Sequence, residues 1–599
     1  MVAEALALTV AVPVAVDEED RGFKFHVSSL TFKSSVICTL YSVICTLKSE
    51  LCTLYSVLCT LYSVLCTLSS TNNYIIETIM KKICLLALSA LCLTASAQDP
   101  YLNNTIINTS DVFGTSRFVG MGGAMGALGA DLSVISSNPA GLGMISKNEM
   151  SLTAGASWLG NNSAKGMAAG TFGQFNQIGA VASFKGSGKL RNINLSFNYQ
   201  KKADYNNSFF GETYTAASWA DQLYGLAGEA YDNRGGLYGR PETYYNTLYN
   251  LAETSGLFDD VIVKDPSDPN STLSVSRGSL NAYEFNLSMN LENRYFIGMT
   301  VGVDNVDFRR GTDYWEQRTD EFGQIQDFGY VNEQIITGNG FNLKFGAIVR
   351  PFESSPFRLG FTVETPTWYN LKYIDDQSLT TKYYWDDKAG KAFYDPAPGQ
   401  YYTHYVYDLS DSYINYLEYR ITTPWKVRAQ MGSTVSTNFA WGLEYEYANY
   451  PGASTRYPSS YGGTTVDQGF KKITNMMFKP QHTLRAGMEL KPVSALAVRA
   501  GYNYITSTTT PDSYWDPYFS DNALAYPTGL DYMNLSDTHI ATFGLGYRYK
   551  WFYADLAYKY RYQKGEYYAF DSFYSNVEKS PIPVDLSRHS ITATLGVRF

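Results

Sequence analysis

The chain has 599 residues and a formal net charge of −9, and after Leu93 it holds no apolar run near the roughly 20 residues a membrane-spanning helix needs. A bundle of transmembrane helices is therefore excluded, and the acidic balance argues against a nucleic-acid binder. All seven cysteines lie at or before Cys92, which removes disulfide frameworks, cysteine nucleophiles and thiolate metal sites from everything that follows.

In residues 1–79, Cys38, Cys45, Cys52, Cys59 and Cys66 recur at a strict seven-residue period, with words such as Tyr55-Ser56-Val57-Leu58-Cys59-Thr60-Leu61 repeated almost unchanged. A working coiled coil carries charges at its e and g positions; Ser, Thr and Tyr stand there instead. Whole-word repetition fits a duplicated nucleotide tract, so 1–79 is expected to be a non-native upstream extension, with Met80 the true start. Met80 is followed by Lys81 and Lys82, an apolar run from Ile83 to Leu93, and Thr94-Ala95-Ser96-Ala97 before Gln98. That is a signal peptide over 80–97, cut after Ala97. A lipoprotein site at Cys92 would want a small residue where Leu91 stands.

Residues 98–148 contain no alternating strand. They run through Arg117-Phe118-Val119-Gly120-Met121-Gly122-Gly123-Ala124-Met125-Gly126 and then Ser137-Asn138-Pro139-Ala140-Gly141-Leu142-Gly143. Small residues allow close backbone packing, and a compact segment of this length suits a plug. A dinucleotide-binding loop would need a strand–helix–strand frame, which is missing here.

From residue 149 the pattern changes to period two. At the C-terminus Ile591, Ala593, Leu595, Val597 and Phe599 share one face, and Thr592, Thr594, Gly596 and Arg598 the other. Segments 551–561, 539–549 and 483–491 alternate likewise. The strands are long enough to cross a bilayer at a tilt, and aromatic residues gather at their ends: Trp425, Tyr445, Tyr447, Tyr502, Tyr504, Tyr547, Tyr549 and Trp551. Strands are predicted near 149–159, 169–185, 190–203, 279–291, 295–310, 336–351, 356–370, 419–433, 438–450, 480–491, 495–508, 537–549, 551–563 and 588–599. The expected fold is all-β: a transmembrane antiparallel β-barrel of about 14 strands over 149–599, an even number as single-chain bacterial barrels require. Turns such as Glu292-Asn293-Arg294, Val435-Ser436-Thr437 and Lys491-Pro492-Val493-Ser494 read as periplasmic. Long connections near 204–278, 311–335, 371–418, 451–479, 509–536 and 564–587 read as extracellular loops.

The lumen face carries Lys344, Arg350, Arg358, Glu364, Glu444, Glu446, Arg485, Glu489, Arg499, Arg548, Asp555, Lys559 and Arg561. Mixed signs favour ion pairs across a filled interior over a selectivity filter. The loop aromatics Phe209, Phe210, Tyr214 and Tyr224 either line an apolar access groove or pack within their loops. The acidic run Asp265-Pro266-Ser267-Asp268 reads as a solvated turn before a calcium site. After residue 97 the histidines are His404, His482, His539 and His589, none paired in sequence. No Ser/His/acid set stands out, so neither an enzyme nor a cofactor is expected.

A glycine-rich hatch with Asn138-Pro139-Ala140, followed by fourteen strands, resembles the FadL/TodX long-chain fatty acid transporters. The wording from Gly120-Met121-Gly122-Gly123-Ala124 through Asn138-Pro139-Ala140-Gly141 is similar to the Bacteroidetes branch. The resemblance spans 98–599, specific in the hatch and architectural in the barrel. It implies a mainly helical hatch in the lumen, passive uptake of hydrophobic small molecules across a bacterial outer membrane, and sideways exit by a kinked strand that the sequence does not locate. Asn138, Pro139 and Ala140, with Gly122 and Gly123, would act as hatch or gating contacts; Asn138-Pro139 also reads as a simple tight turn. Expected partners are a hydrophobic ligand, outer-membrane lipid and lipopolysaccharide, and the barrel-assembly machinery through Phe599, with the protein a monomer and no nucleic acid bound. The alternatives are a porin for polar solutes and a passive haem-binding receptor. An energy-coupled receptor needs about 22 strands and a larger plug.

Overall fold

The computed structural model describes residues 105–160, 171–223, 248–257, 264–319, 324–385, 393–395, 400–402, 406–458, 464–510, 513, 529–570 and 581–599. The upstream extension, the signal peptide, Tyr224 and His404 lie outside them.

Alternation closes into a barrel. Its strands are β1 (Glu149–Leu159), β2 (Thr171–Lys185), β3 (Leu190–Asp204), β4 (Pro269–Leu291), β5 (Tyr295–Thr319) and β6 (Gln324–Val349). Next come β7 (Arg358–Glu364 continued by Trp368–Trp385) and β8 (Val406–Thr422 continued by Lys426–Thr434). The remainder are β9 (Phe439–Ala448), β10 (Gln481–Val493), β11 (Leu496–Ile505), β12 (Thr538–Tyr549), β13 (Phe552–Tyr562) and β14 (Arg588–Arg598). Each pairs antiparallel with its neighbour, and β14 pairs with β1 from Arg598↔Glu149 to Arg588↔Leu159, so the 14-stranded sheet has no free edge. Each of the fourteen overlaps one strand predicted from the sequence. Closure is what lets a sheet enter lipid, because every backbone polar group finds a partner within the wall.

The outer wall is apolar. Met150, Ile178, Phe197, Phe285, Phe345, Phe361, Leu484, Phe543 and Leu595 all point outward and are exposed. The inward face is polar and buried, with Thr153, Asn194, Thr300, Thr542 and Thr594 among its residues. A protein exposing this much contiguous apolar surface is built for hydrocarbon. At the end of the barrel with the short connections, the β4–β5 turn holds Glu292 and Asn293 at φ +56° and +54°, with Arg294 N bonded to Leu291 O at 3.0 Å. That is the two-residue turn whose twist suits a hairpin.

The strands are longer than period two alone suggested. The segments read as loops at 311–335 and 371–418 are largely sheet: β5 and β6 pair from Tyr295↔Val349 to Thr319↔Ile325, and β7 and β8 from Thr422↔Trp368 to Val406↔Tyr384. On this extension each face mixes apolar with polar residues, buried Phe328 and Tyr330 beside Asn332 and Gln334 on one and exposed Val331 beside Glu333 on the other, so the hydropathy contrast fades although the ladder continues. The outward face here mixes the exposed pair Lys372–Glu418, 3.2 Å apart, with exposed Tyr416 and Ile414. In β7 and β8 the continuity is broken by Thr365-Pro366-Thr367 and Thr423-Pro424-Trp425. Proline cannot donate to a ladder, and hydroxyls replace part of it, with Thr367 N donating to Thr423 Oγ1 at 2.7 Å.

Candidate functional site

Residues 105–148 sit inside the barrel as short helical turns. Helix α1 (Ser116–Gly120) is capped by Thr115, whose hydroxyl accepts from Phe118 N. Two 3-10 turns, Leu132–Ser136 and Pro139–Met144, are capped by Asp131 and Asn138, which accept from Ser133 N and Ala140 N. Each cap satisfies a donor that the helix itself leaves open. Phe118, Met121, Met125 and Val134 form a small core of the hatch's own.

The barrel wall receives this plug on two belts of glycine. Gly442, Gly487 and Gly501 lie in register on β9, β10 and β11. A Cβ on Gly487 would stand 2.2 Å from Met121 O, and one on Gly501 2.3 Å from Gly122 N. On the other side a Cβ at Gly298 would meet the Pro139 carbonyl carbon at 2.4 Å, and one at Gly346 would meet Asn138 Oδ1 at 2.1 Å. Hatch backbone thus lies directly on wall backbone. Gly122 and Gly123 adopt φ +61° and +77°, where a side chain would be strained. Their amides return to Val119 O and Phe118 O at 2.9 Å each, ending α1. Asn138 is fully buried; its Nδ2 donates to Gln430 Oε1 (2.7 Å) and Ala347 O (3.3 Å), and Asn286 Nδ2 donates to Pro139 O (3.3 Å).

Beside the hatch the lumen charges form a lattice. Arg428 bridges Glu364 (2.8 Å) and Glu446 (2.5 Å), Arg485 reaches Glu444 (2.8 Å), and Arg499 joins Glu489 (2.7 Å) to Asp555 (2.5 Å). The hatch enters the same lattice through Arg117–Glu489 (3.1 Å) and Asp111–Lys559 (2.8 Å). Lys344 pairs with Glu284 at 2.5 Å. Buried charges are tolerated when paired this way. The expected ion-paired interior is therefore present in part: Arg350, Arg358, Arg548 and Arg561 stand outside it, Arg358 donating to Leu128 O (3.0 Å) and Arg561 to Gln563 Oε1 (2.5 Å). Arg350 donates to the carbonyls of Asn293, Glu353 and Ser355 in the turns, and Arg548 is exposed near the periplasmic end of β12.

Above the hatch the character changes. Ile106 and Ile107 of the hatch pack under a buried aromatic cluster that includes Tyr205, Phe308, Tyr369, Tyr419 and Phe478. Next to it lies a cavity of about 150 Å³, a size that can hold a benzene ring. Tyr205, Phe308, Ile505 and Leu535 form its apolar side, and its polar side holds Arg561 and Arg588 together with the carboxylates of Asp111 and Asp204. The Nε of both guanidiniums is buried with no partner.

The wall beside this cavity is parted. The ladder between β2 and β3 stops at Gln177↔Gln200, while β2 runs on to Thr171 against β1 and β3 to Asp204 against β4. A bulge flanks the parting on each side, with register shifts between Thr153/Ala154 and between Lys201/Ala203. Bulges bend strands, and here they splay two neighbours. Asn176, the extra residue of β2, is fully buried with neither side-chain polar atom paired. Gln174 Nε2 donates across the opening to an Asp204 carboxylate oxygen, which Lys201 (3.9 Å) and Arg588 (3.5 Å) also approach.

The structure thus brings Asn138, Pro139, Ala140, Gly122 and Gly123 to the wall. Phe209 packs neither in a groove nor within its own loop but against the 564–587 connection, with Ile582 and Val584 and 4.8 Å from the Tyr567 ring, and Tyr214 is exposed. Asp265 closes a turn by accepting from Ser267 N (2.8 Å) and Oγ (2.6 Å). Sequence reasoning did not single out Gln174, Asn176, Asp204 or Arg588. The signal for the bulge was there: Phe175 and Ile178, both outward, are three residues apart and break the period of two.

No family model matches the chain, and no curated protein does. Among solved structures it is similar to a CymD monoaromatic hydrocarbon channel, at 9% identity and TM-score 0.41, over 82% of this chain and 98% of that one. It is similar to a Pseudomonas aeruginosa FadL homologue at 13% identity and TM-score 0.45, over 82% and 99%. A P. putida toluene transporter, TodX, gives 12% and 0.39, over 82% and 99%.

Proposed function

We propose that the protein is a passive outer-membrane transporter of hydrophobic small molecules, of the long-chain fatty acid class, with the N-terminal segment as its hatch. The observation that carries this reading is the parting of β2 from β3 beside an apolar lumen whose floor is the hatch. A solute entering from outside meets aromatic surface first and gains by leaving water. The axial way down is occupied by hatch and ion lattice. The remaining way out is sideways, between Asn176 and Lys201, into the bilayer, where an apolar molecule is already at home.

The cavity adds a substrate class. An acid with a long apolar tail places its carboxylate against Arg561 and Arg588, whose Nε–H groups are otherwise unpaired, and the first part of its chain among Tyr205, Phe308 and Ile505, the remainder lying outside this cavity of about 150 Å³. Charge-assisted bonds of this kind are the strong ones. Asn138, Pro139, Ala140, Gly122 and Gly123 act as the seat of the hatch; ligand shifts it only by favouring one hatch position over another. A porin for polar solutes is disfavoured by the filled axis. A haem receptor would use lumen histidines, whereas His482, His539 and His589 share the outward face with Leu484, Phe543 and Ile591.

The test is native mass spectrometry of the detergent-purified protein for co-purified small molecules, with single-channel conductance on the same sample. Bound fatty acid with a closed baseline is the expected result. An empty barrel that conducts ions steadily overturns the proposal and leaves a porin with a small plug.

A further inference from the structure

Every described histidine occupies the same position in the fold. His482, His539 and His589 are each the second residue of a strand that descends from the extracellular side, in β10, β12 and β14. All face outward, where the apolar wall ends. Each accepts or donates one hydrogen bond through Nδ1 to a tyrosine on the strand before it: Tyr445 Oη, Tyr502 Oη and Tyr558 Oη, at 2.7 Å in each case. Each ring lies against a second tyrosine directly opposite in register, Tyr447, Tyr504 and Tyr560, with centroids 5.4, 5.3 and 4.8 Å away. Trp158 stacks on His589 at 5.5 Å. The arrangement repeats every second strand, about 10 Å along the wall.

Aromatic rings at this level are the ordinary girdle of a membrane barrel, and tyrosine alone would serve that purpose. Histidine adds a second nitrogen. The phenol is the stronger acid of the pair, so it donates to Nδ1 of a neutral imidazole and leaves the proton on Nε2; a protonated imidazole carries a proton on both. In either state Nε2–H is a donor, and among the described residues none of the three has a protein acceptor for it. At the headgroup level of a bilayer the acceptors on offer are lipid oxygens, phosphate above all. Two cations sit close by: Lys564 lies 5.7 Å from the Tyr562 ring, and Lys479 stands two residues before β10. Asp537 stands at the same level, its carboxylate accepting from Tyr504 Oη (2.5 Å) and Ser507 N (2.7 Å) and facing Lys479 and His539.

We propose that this belt of Tyr–His pairs on β9–β14 is a docking surface for the phosphate groups of phosphorylated lipids in the outer leaflet. The tyrosines fix each imidazole's orientation, and Nε2–H donates to one phosphate oxygen per histidine. Lipid is held along the six-strand arc from β9 to β14, whose last strand is separated from the β2–β3 parting by β1 and β2. The surface is independent of what the lumen carries.

The experiment compares full-length protein in mild detergent, titrated with phosphatidic acid or with diacylglycerol of the same acyl chains, and counts retained lipids by native mass spectrometry. The expected result is retention of phosphatidic acid at least five-fold above diacylglycerol, falling to the diacylglycerol level in the triple variant H482F/H539F/H589F, which keeps the rings. Equal retention of both lipids by the native protein, or an undiminished preference in the triple variant, overturns the proposal. Should the triple variant not fold, the imidazole Hε1 resonances of the native protein decide. A shift of those three signals on adding phosphatidic acid, absent with diacylglycerol, supports the docking surface, and no shift overturns it.

Discussion

Asn138 in the hatch donates from Nδ2 to Gln430 Oε1 in the wall across 2.7 Å, and Gln430 answers by donating from Nε2 to Ser137 O at 3.2 Å. Residues 292 positions apart in the chain thereby close a reciprocal clasp, with the same Asn138 capping the turn that follows it. The side chain joins local structure to long-range packing: as a cap it makes Pro139–Met144 a helical turn, and as a donor it pins that turn to β8.

Removing the clasp should unseat the plug. Asn138→Ala leaves buried partners unpaired, a cost of about 1–3 kcal/mol. Gly346→Val places a Cβ where Asn138 Oδ1 now stands, 2.1 Å from it. Both variants are expected to insert as barrels yet show frequent openings in single-channel recordings, where the native protein stays closed. Baselines indistinguishable from the native protein would mean the glycine belts alone hold the hatch.

The parting of β2 from β3 gives a second test. Gln174 and Asp204 face each other across it, and no cysteine occurs after Cys92, so thiols introduced as Gln174→Cys and Asp204→Cys can be joined selectively by a short bifunctional thiol reagent. Cross-linked cells should take up labelled oleate at the rate of cells lacking the protein, and a reducible linker should restore uptake when cleaved. Undiminished uptake with the linker in place would remove the lateral route.

The barrel was legible because one physical rule governs it: lipid outside and a packed lumen inside force a period of two, and 539–549 or 588–599 show it without interruption. The rule fails where its cause fails. In 311–335 each face mixes apolar and polar residues, with Phe328 and Tyr330 beside Gln326 and Asn332 on the buried one, so a paired strand reads as a loop. At Asn176 a single inserted residue shifts the phase, and a pattern that averages over a strand conceals it. The hatch was legible only as composition. Its glycines announced close packing, but the complementary glycines at Gly298, Gly346, Gly487 and Gly501 are scattered over the sequence, and only the barrel's register lines them up.

Ligand chemistry can be separated from ligand shape at Arg561. Its Nε is buried and unpaired at the cavity, and a carboxylate there gains a charge-assisted bond worth about 1.5–3 kcal/mol. Arg561→Leu should weaken oleate binding by roughly ten- to a hundred-fold while leaving methyl oleate nearly unchanged, as read by displacement of a fluorescent fatty acid. Equal losses for acid and ester would place the acid's headgroup elsewhere.

The sheet beyond the membrane should respond to pH through Asp375. This residue lies above the exposed Lys372–Glu418 pair, and burial pushes its carboxyl up to about 7 from an ordinary 3.8, against the opposing pull of bonds from Gln377 and Tyr373 and of Arg310. The sign follows from proton counting. Between about pH 4 and 7 the folded protein holds a proton that the unfolded chain has released, so stability is greatest below the unfolded value and falls as pH rises through that window. With 1.36 kcal/mol per unit, the loss at pH 8 is at most about 4 kcal/mol. Amide exchange in the paired segments 328–334 and 373–379 should accordingly be faster at pH 8 than at pH 5 once intrinsic rates are divided out. Asp375→Asn, which carries no charge to desolvate, should abolish the difference and protect both segments at pH 8. A pH dependence that survives in that variant would assign it to another group.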